Sequence, residues 1–167
     1  MIENHEITLN GKEYRVDIDQ DWDIREPWNE FDFHGIVSDW THRAKAPGEI
    51  VLCEDRGAKR FYDFAETCKI ARKDWGFSNR KEAAQAAYRD FENLRAFLDD
   101  VWTYAFVTLT EIRTDHDGIE YDGFSDSIGG VEYWQAYAYH DEKNKHIRDE
   151  IIPSLESEIL AQHKDAA

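Results

Sequence analysis

The chain has 167 residues, of which 36 are acidic and 20 basic, for a formal net charge of −16. Apolar residues make up 41% and aromatic residues 14%, too rich a supply for intrinsic disorder, and 9 Gly with 3 Pro exclude a collagen-like or low-complexity chain. The net charge opposes binding to nucleic acid or anionic lipid by the molecule as a whole and favours basic partners.

No run of 18 apolar residues is present, so no membrane-spanning helix is expected. Met1–Glu6 lacks the basic and apolar regions of a secretory leader. Cys53 and Cys68 are the only cysteines, and both read as reduced core residues of a cytoplasmic protein. Charge is uneven along the chain: residues 43–82 carry 10 basic against 7 acidic side chains, between two acidic flanks.

The predicted elements begin with a hairpin. Glu6–Leu9 and Glu13–Ile18 alternate polar and apolar around Asn10-Gly11, which suits a type I′ turn. Residues 20–48 form a long irregular segment anchored by Trp22, Trp28, Phe31, Phe33 and Trp40, expected to pack over the core. Glu49–Cys53 reads as a short buried strand. A helix follows from the capping pair Asp63 and Glu66 to Gly76, and a second from Asn79 and Glu82 to about residue 100. Trp102–Arg113 has β composition and turns at Asp117-Gly118 into a partner strand from Ile119. Gly123, Gly129 and Gly130 are expected to loosen the chain, and residues 131–139 fit a strand or a helix start. Residues 141–167 read as a C-terminal helix, interrupted or kinked near Pro153, with a peripheral place in the domain open to it. The sum is a single α+β domain over 1–167, a small, mainly antiparallel sheet from two hairpins with two to three packed helices.

Three runs, His34–Thr41, Pro47–Leu52 and Arg56–Phe64, resemble a stretch shared by small accessory proteins of tailed bacteriophages and prophages. The likeness covers roughly residues 21–113. It implies a context rather than a chemistry: a phage accessory protein, made in the bacterial host cytoplasm, that redirects or disarms host machinery.

Four groups of residues are candidates for function. Asp17, Asp19, Asp21 and Asp23 occupy alternate positions, so an extended segment would hold all four carboxylates on one face about 6.5–7 Å apart, close to the phosphate spacing of a nucleic acid strand. Glu26, Glu30 and Asp32 prolong that surface, and Asp99, Asp100, Asp115, Asp117, Glu120, Asp122 and Asp126 form a second acidic group. Such patches suit a DNA-mimicking inhibitor of a basic host protein or nucleoprotein complex, for example a defence nuclease; the plainer reading is a solvated acidic face. The spacing of Asp17-x-Asp-x-Asp opens like a calcium loop, but Trp22 stands where the glycine belongs.

Arg56, Lys59 and Arg60, beside Gly57, Phe61 and Tyr62, form an alternative site for a phosphate or a nucleic acid, or else neutralise neighbouring acids. A third possibility is a small hydrolase or nuclease around His34, Ser38, Asp39 and His42, with Glu54 and Asp55 nearby, although no strand–elbow–helix context supports a nucleophile. Tyr133, Trp134, Tyr137 and Tyr139 read as core or as a homodimer contact. No metal or cofactor is expected.

Overall fold

A computed structural model describes residues 1–166. It has the expected α+β class. β1 (Glu3–Leu9) and β2 (Lys12–Gln20) form the first hairpin. Asn10 and Gly11 have φ of 49° and 79°, the left-handed pair that a type I′ turn requires. One helical turn, α1 (Pro27–Glu30), interrupts the irregular segment. β3 (Glu49–Asp55) and β4 (Ala58–Asp63) make a second hairpin, followed by α2 (Phe64–Lys73) and α3 (Arg80–Leu98). β5 (Thr103–Thr114) and β6 (Glu120–Tyr133) form the third, and α4 (Ile152–Asp165) ends the chain.

The sheet order is β1-β2-β5-β6, antiparallel throughout, with β3-β4 as a separate pair. β2 pairs with β5 although some eighty residues separate them: Gln20 lies opposite Ala105, and the Asp21 amide donates to Tyr104 O at 2.8 Å. The chain between forms a compact unit of its own. Unit 1 comprises Met1–Asp23 and Trp102–Ala167, and unit 2 comprises Ile24–Val101.

In unit 1 one sheet face is apolar. Tyr14, Val16, Ile18, Ala105, Val107 and Leu109 alternate inward along β2 and β5 and are fully buried. Ile147, Ile152, Leu155 and Ile159 of the C-terminal segment close over them. Burying four such side chains contributes roughly 6–12 kcal/mol before chain entropy is charged, so this helix is part of the core. Its first turn is a π-helix over Ile147–Ile151, directly before Pro153. Proline offers no N–H to the regular ladder, which locates the irregularity that the sequence placed near it. Asn144, fully buried, accepts from Trp134 N at 2.9 Å and donates to Ala138 O at 3.2 Å, pinning the loop after β6.

Unit 2 packs α2 and α3 on the β3-β4 hairpin. Its core is Leu52, Tyr62, Phe91 and Leu94, with Trp28, Val37, Ile50 and Phe64 against it. Both helices start as their capping signals predict. The Asp63 carboxylate accepts from Glu66 N at 3.0 Å, and the Asn79 side chain accepts from Glu82 N at 2.9 Å.

Three local expectations change. Arg56-Gly57 is not a loop between a strand and a helix but the turn of β3-β4, with φ of 47° and 82°. Gly123, Gly129 and Gly130 do not end the strand but lie inside β6, at the two register shifts that interrupt its pairing with β5. A β-carbon at Gly129 would stand 2.4 Å from the Phe106 ring, and one at Gly123 2.7 Å from a Glu111 carboxylate oxygen, so both glycines make room for β5 side chains. Cys53 and Cys68 are free thiols but only half-buried. No helix among the described residues is long and apolar enough to cross a membrane.

Candidate functional site

The divided chain sorts the charge. Unit 1 holds 21 acidic and 7 basic side chains, net −14, whereas unit 2 holds 15 and 13, net −2. The basic middle segment and the acids around it therefore largely cancel within unit 2, and the surplus belongs to the four-stranded sheet and its helix.

On that sheet, strand alternation puts Tyr14, Val16 and Ile18 inward and Glu13, Arg15, Asp17 and Asp19 outward. The register sets Glu6 of β1 opposite Arg15 and aligns Arg15 with Thr110 of β5. Arg15 reaches across β5 to grip Asp122 of β6 with two hydrogen bonds of 2.9 and 3.0 Å, and also donates to Asp17 at 3.1 Å. Those bonds raise the Arg15 guanidinium pKa and lower that of Asp122. The face thus presents five carboxylates, from Glu6, Glu13, Asp17, Asp19 and Asp122, around one guanidinium. Glu6 and Glu13 are exposed, and Asp19 lies 2.7 Å from the N-terminal ammonium.

The four-aspartate ladder is therefore only two long. β2 ends at Gln20, so Asp21 leaves the strand. It is 6% exposed and accepts from the amides of Asp23 and Gly130, both at 3.2 Å, which makes it a backbone cap rather than a contact residue. Asp23 is exposed in the turn beyond. Glu26 and Glu30 lie in unit 2, where Glu26 is tied to Arg60. Of the second acidic group, Asp115 caps the β5-β6 turn by accepting from Asp117 N and Ile119 N, each at 2.9 Å, while Asp117 and Glu120 stand exposed at its tip.

The basic trio does not gather into a phosphate cradle. Arg60 is buried between the rings of Trp28 and Trp40, each 5.2 Å from its guanidinium carbon, and it pairs with Glu26. Lys59 pairs with Glu54 at 3.5 Å, and Arg56 is exposed on the turn. Tyr133 is fully buried in the unit 1 core, so it is not available to a homodimer; Tyr137 is exposed, and Trp134 carries Lys143 over its ring at 4.3 Å.

The histidine of the proposed hydrolase finds a different carboxylate. His34 Nδ1 lies 2.7 Å from Asp90 of α3, and not beside Asp39. Asp90 also accepts from Gly35 N and from the Tyr62 hydroxyl, both at 2.8 Å. Both His34 and Asp90 are 8% exposed. Burial first, then the Asp90 charge, push the Tyr62 phenol far above its ordinary range. Ser38 donates its hydroxyl to Asp39 O and accepts from Phe61 N, which uses it structurally, and His42 is exposed. The dyad has the bonding of a catalytic His–Asp pair, while Ser38, the hydroxyl that the sequence offered as nucleophile, is engaged with backbone groups. His34 and Gly35, both bonded to Asp90, are among the lining residues of a pocket of about 730 Å³ in unit 2.

The chain matches no known protein family, no curated protein and no solved structure.

Among the described residues no group of three or more His, Cys, Asp or Glu side chains is placed to hold a metal ion. Asp90 is the residue that sequence reasoning missed. Its signal was a carboxylate inside the apolar stripe Ala83, Ala87, Phe91 and Leu94, since a buried charge on a helix demands partners.

Proposed function

We propose that the protein is a non-enzymatic binding protein that engages a basic partner through the outward face of the β1-β2-β5-β6 sheet. The observation that carries this reading is the segregation of charge: unit 1 has net −14 and unit 2 only −2. A field of one sign on a rigid sheet accelerates encounter with a positive surface and selects against negative ones. In the phage-type setting that the resemblance over residues 21–113 implies, the partner is a basic host protein or nucleoprotein complex concerned with defence or nucleic-acid handling. Only Asp17 and Asp19 retain the phosphate-like spacing, so the reading needs a carboxylate face and not an extended replica of a DNA strand.

Two charge-reversed variants separate a specific face from bulk charge. The first changes Glu6, Glu13 and Asp19 to Lys. The second changes Asp149, Glu150 and Glu158 of the C-terminal segment, which shifts the net charge equally. Tagged forms are used to capture partners from bacterial lysate at moderate salt. The first variant loses its partners and the second keeps them. Equal loss by both, or retention by the first, removes the sheet face from the argument.

A further inference from the structure

The unit 2 pocket is walled by Trp28, Phe31, Phe33 and Trp75, with the carboxylates of Asp32 and Asp74 among its lining residues. Local structure explains how these rings converge. Pro27 starts α1 and sets Trp28 on it. Phe31 and Phe33 stack on one another with centroids 5.0 Å apart, and Phe33 lies 4.7 Å from the His34 ring. Trp75 follows the end of α2, and its indole N–H donates to Asp32 O at 3.2 Å, tying the helix end to the loop.

We infer that this pocket binds an alkylated ammonium cation, a quaternary or tertiary amine carried by a small molecule or by a methylated lysine side chain. Four considerations narrow the ligand to that class. First, aromatic faces attract cations and carboxylates repel anions, and neither Asp32 nor Asp74 takes part in an ion pair among the described residues. Second, a lining ring carries a cation elsewhere on its surface: the Arg60 guanidinium, paired with Glu26 and outside the pocket lining, lies 5.2 Å from Trp28. Third, the two lining carboxylates, Asp32 and Asp74, are both exposed, and Asp90 is not among the lining residues. A guanidinium or primary ammonium must keep its N–H groups hydrogen-bonded as it leaves water, whereas an alkylated ammonium needs only ring faces and apolar surface, the latter supplied by Ile36 and Ile70. Fourth, about 730 Å³ is the volume of a small-ligand site. The backbone at the lining residue Gly35 is closely packed, because a β-carbon there would sit 2.6 Å from the Tyr62 hydroxyl and 2.5 Å from Thr67 Oγ1.

This inference does not rest on the sheet face of unit 1. Its test compares choline with its neutral isostere 3,3-dimethylbutan-1-ol by calorimetry and by tryptophan fluorescence, with Trp28 and Trp75 as reporters. A peptide bearing trimethyllysine and the same peptide unmethylated form two further arms. Choline or the methylated peptide binds at least roughly tenfold tighter than its uncharged or unmethylated counterpart. Whichever of the two binds tighter assigns the source of the ammonium group. The exposed substitutions Asp32→Asn with Asp74→Asn, and separately Phe33→Leu, weaken the cation several-fold and leave the isostere unchanged. Equal binding of choline and isostere, together with equal binding of the two peptides, overturns the inference, as does absence of binding by every probe. The wild-type comparison decides the matter even where a variant fails to fold.

Discussion

Replacing Asp90 tests whether unit 2 is organised around a buried carboxylate. The carboxylate receives His34 Nδ1, Gly35 N and the Tyr62 hydroxyl. In Asp90→Ala, Tyr62 has a second acceptor within reach, Ala87 O at 2.9 Å, and is not orphaned. The Gly35 amide loses its acceptor, and the His34 ring loses its bond to a charged carboxylate. An unsatisfied buried donor costs about 1–3 kcal/mol and a lost hydrogen bond to a charged group about 1.5–3, so the variant loses roughly 2.5–6 kcal/mol. That is a large share of a typical domain's roughly 5–15 kcal/mol. Asp90→Asn is milder. Its oxygen keeps the Gly35 amide, its NH2 group donates to His34 Nδ1 in the other tautomer, and the loss is the charge assistance, about 1–2 kcal/mol. Urea unfolding gives the two costs, and amide exchange locates them: protection falls in β4 and α3 and is kept in β2 and β5. An Asp90→Ala protein within about 1 kcal/mol of the parent, or an Asn variant as damaged as the Ala variant, refutes the reasoning.

Two further outcomes follow from unit 1. Glu111 is buried beneath α4, which alone would raise its pKa, but hydrogen bonds from Arg113 and Lys12 and the charges of Arg113 and His163 outweigh burial and lower it. A lowered carboxyl stabilises the fold above the ordinary glutamate pKa near ~4.3, and that contribution disappears as pH falls through the lower folded-state value. Glu111→Gln therefore reduces the urea midpoint at neutral pH, and the gap to the parent closes on acidification; a gap that stays constant contradicts this pairing. Gly129→Ala forces a β-carbon into the Phe106 ring and costs about 1–3 kcal/mol, most of it recovered when Phe106 is also changed to Ala. A double-mutant cycle in thermal midpoint shows that recovery, and simple additivity denies the contact.

The parts of the fold legible in the sequence are those decided within a few residues. Asn10-Gly11 and the two capping pairs act on neighbouring backbone groups, and each does in the structure what its chemistry predicts. The sequence reading failed where a distant partner decides. Gly129 reads as a flexible point until Phe106 is seen filling the space that its missing side chain leaves. Arg56-Gly57 resembles an anion-binding loop until β4 is recognised. The strand was hidden because Lys59-Arg60 look solvent-seeking, while Arg60 is in fact held between two indoles.

The candidate site shows the same division more sharply. His34 was visible as a histidine in an aromatic loop, but its partner lies 56 residues on, inside a helix whose apolar period drew attention away from the aspartate. Likewise, the acidic flanks of the sequence look like two separate patches because residues 24–101 stand between them. Pairing of β2 with β5 joins those flanks into one sheet and leaves the basic middle in a unit close to neutral. The −14 of unit 1 is thus a consequence of where the intervening unit interrupts the sheet. A charge distribution of this kind is set by topology, so altering single acids on the sheet should matter to a partner only when they lie on the face that the β2-β5 register turns outward.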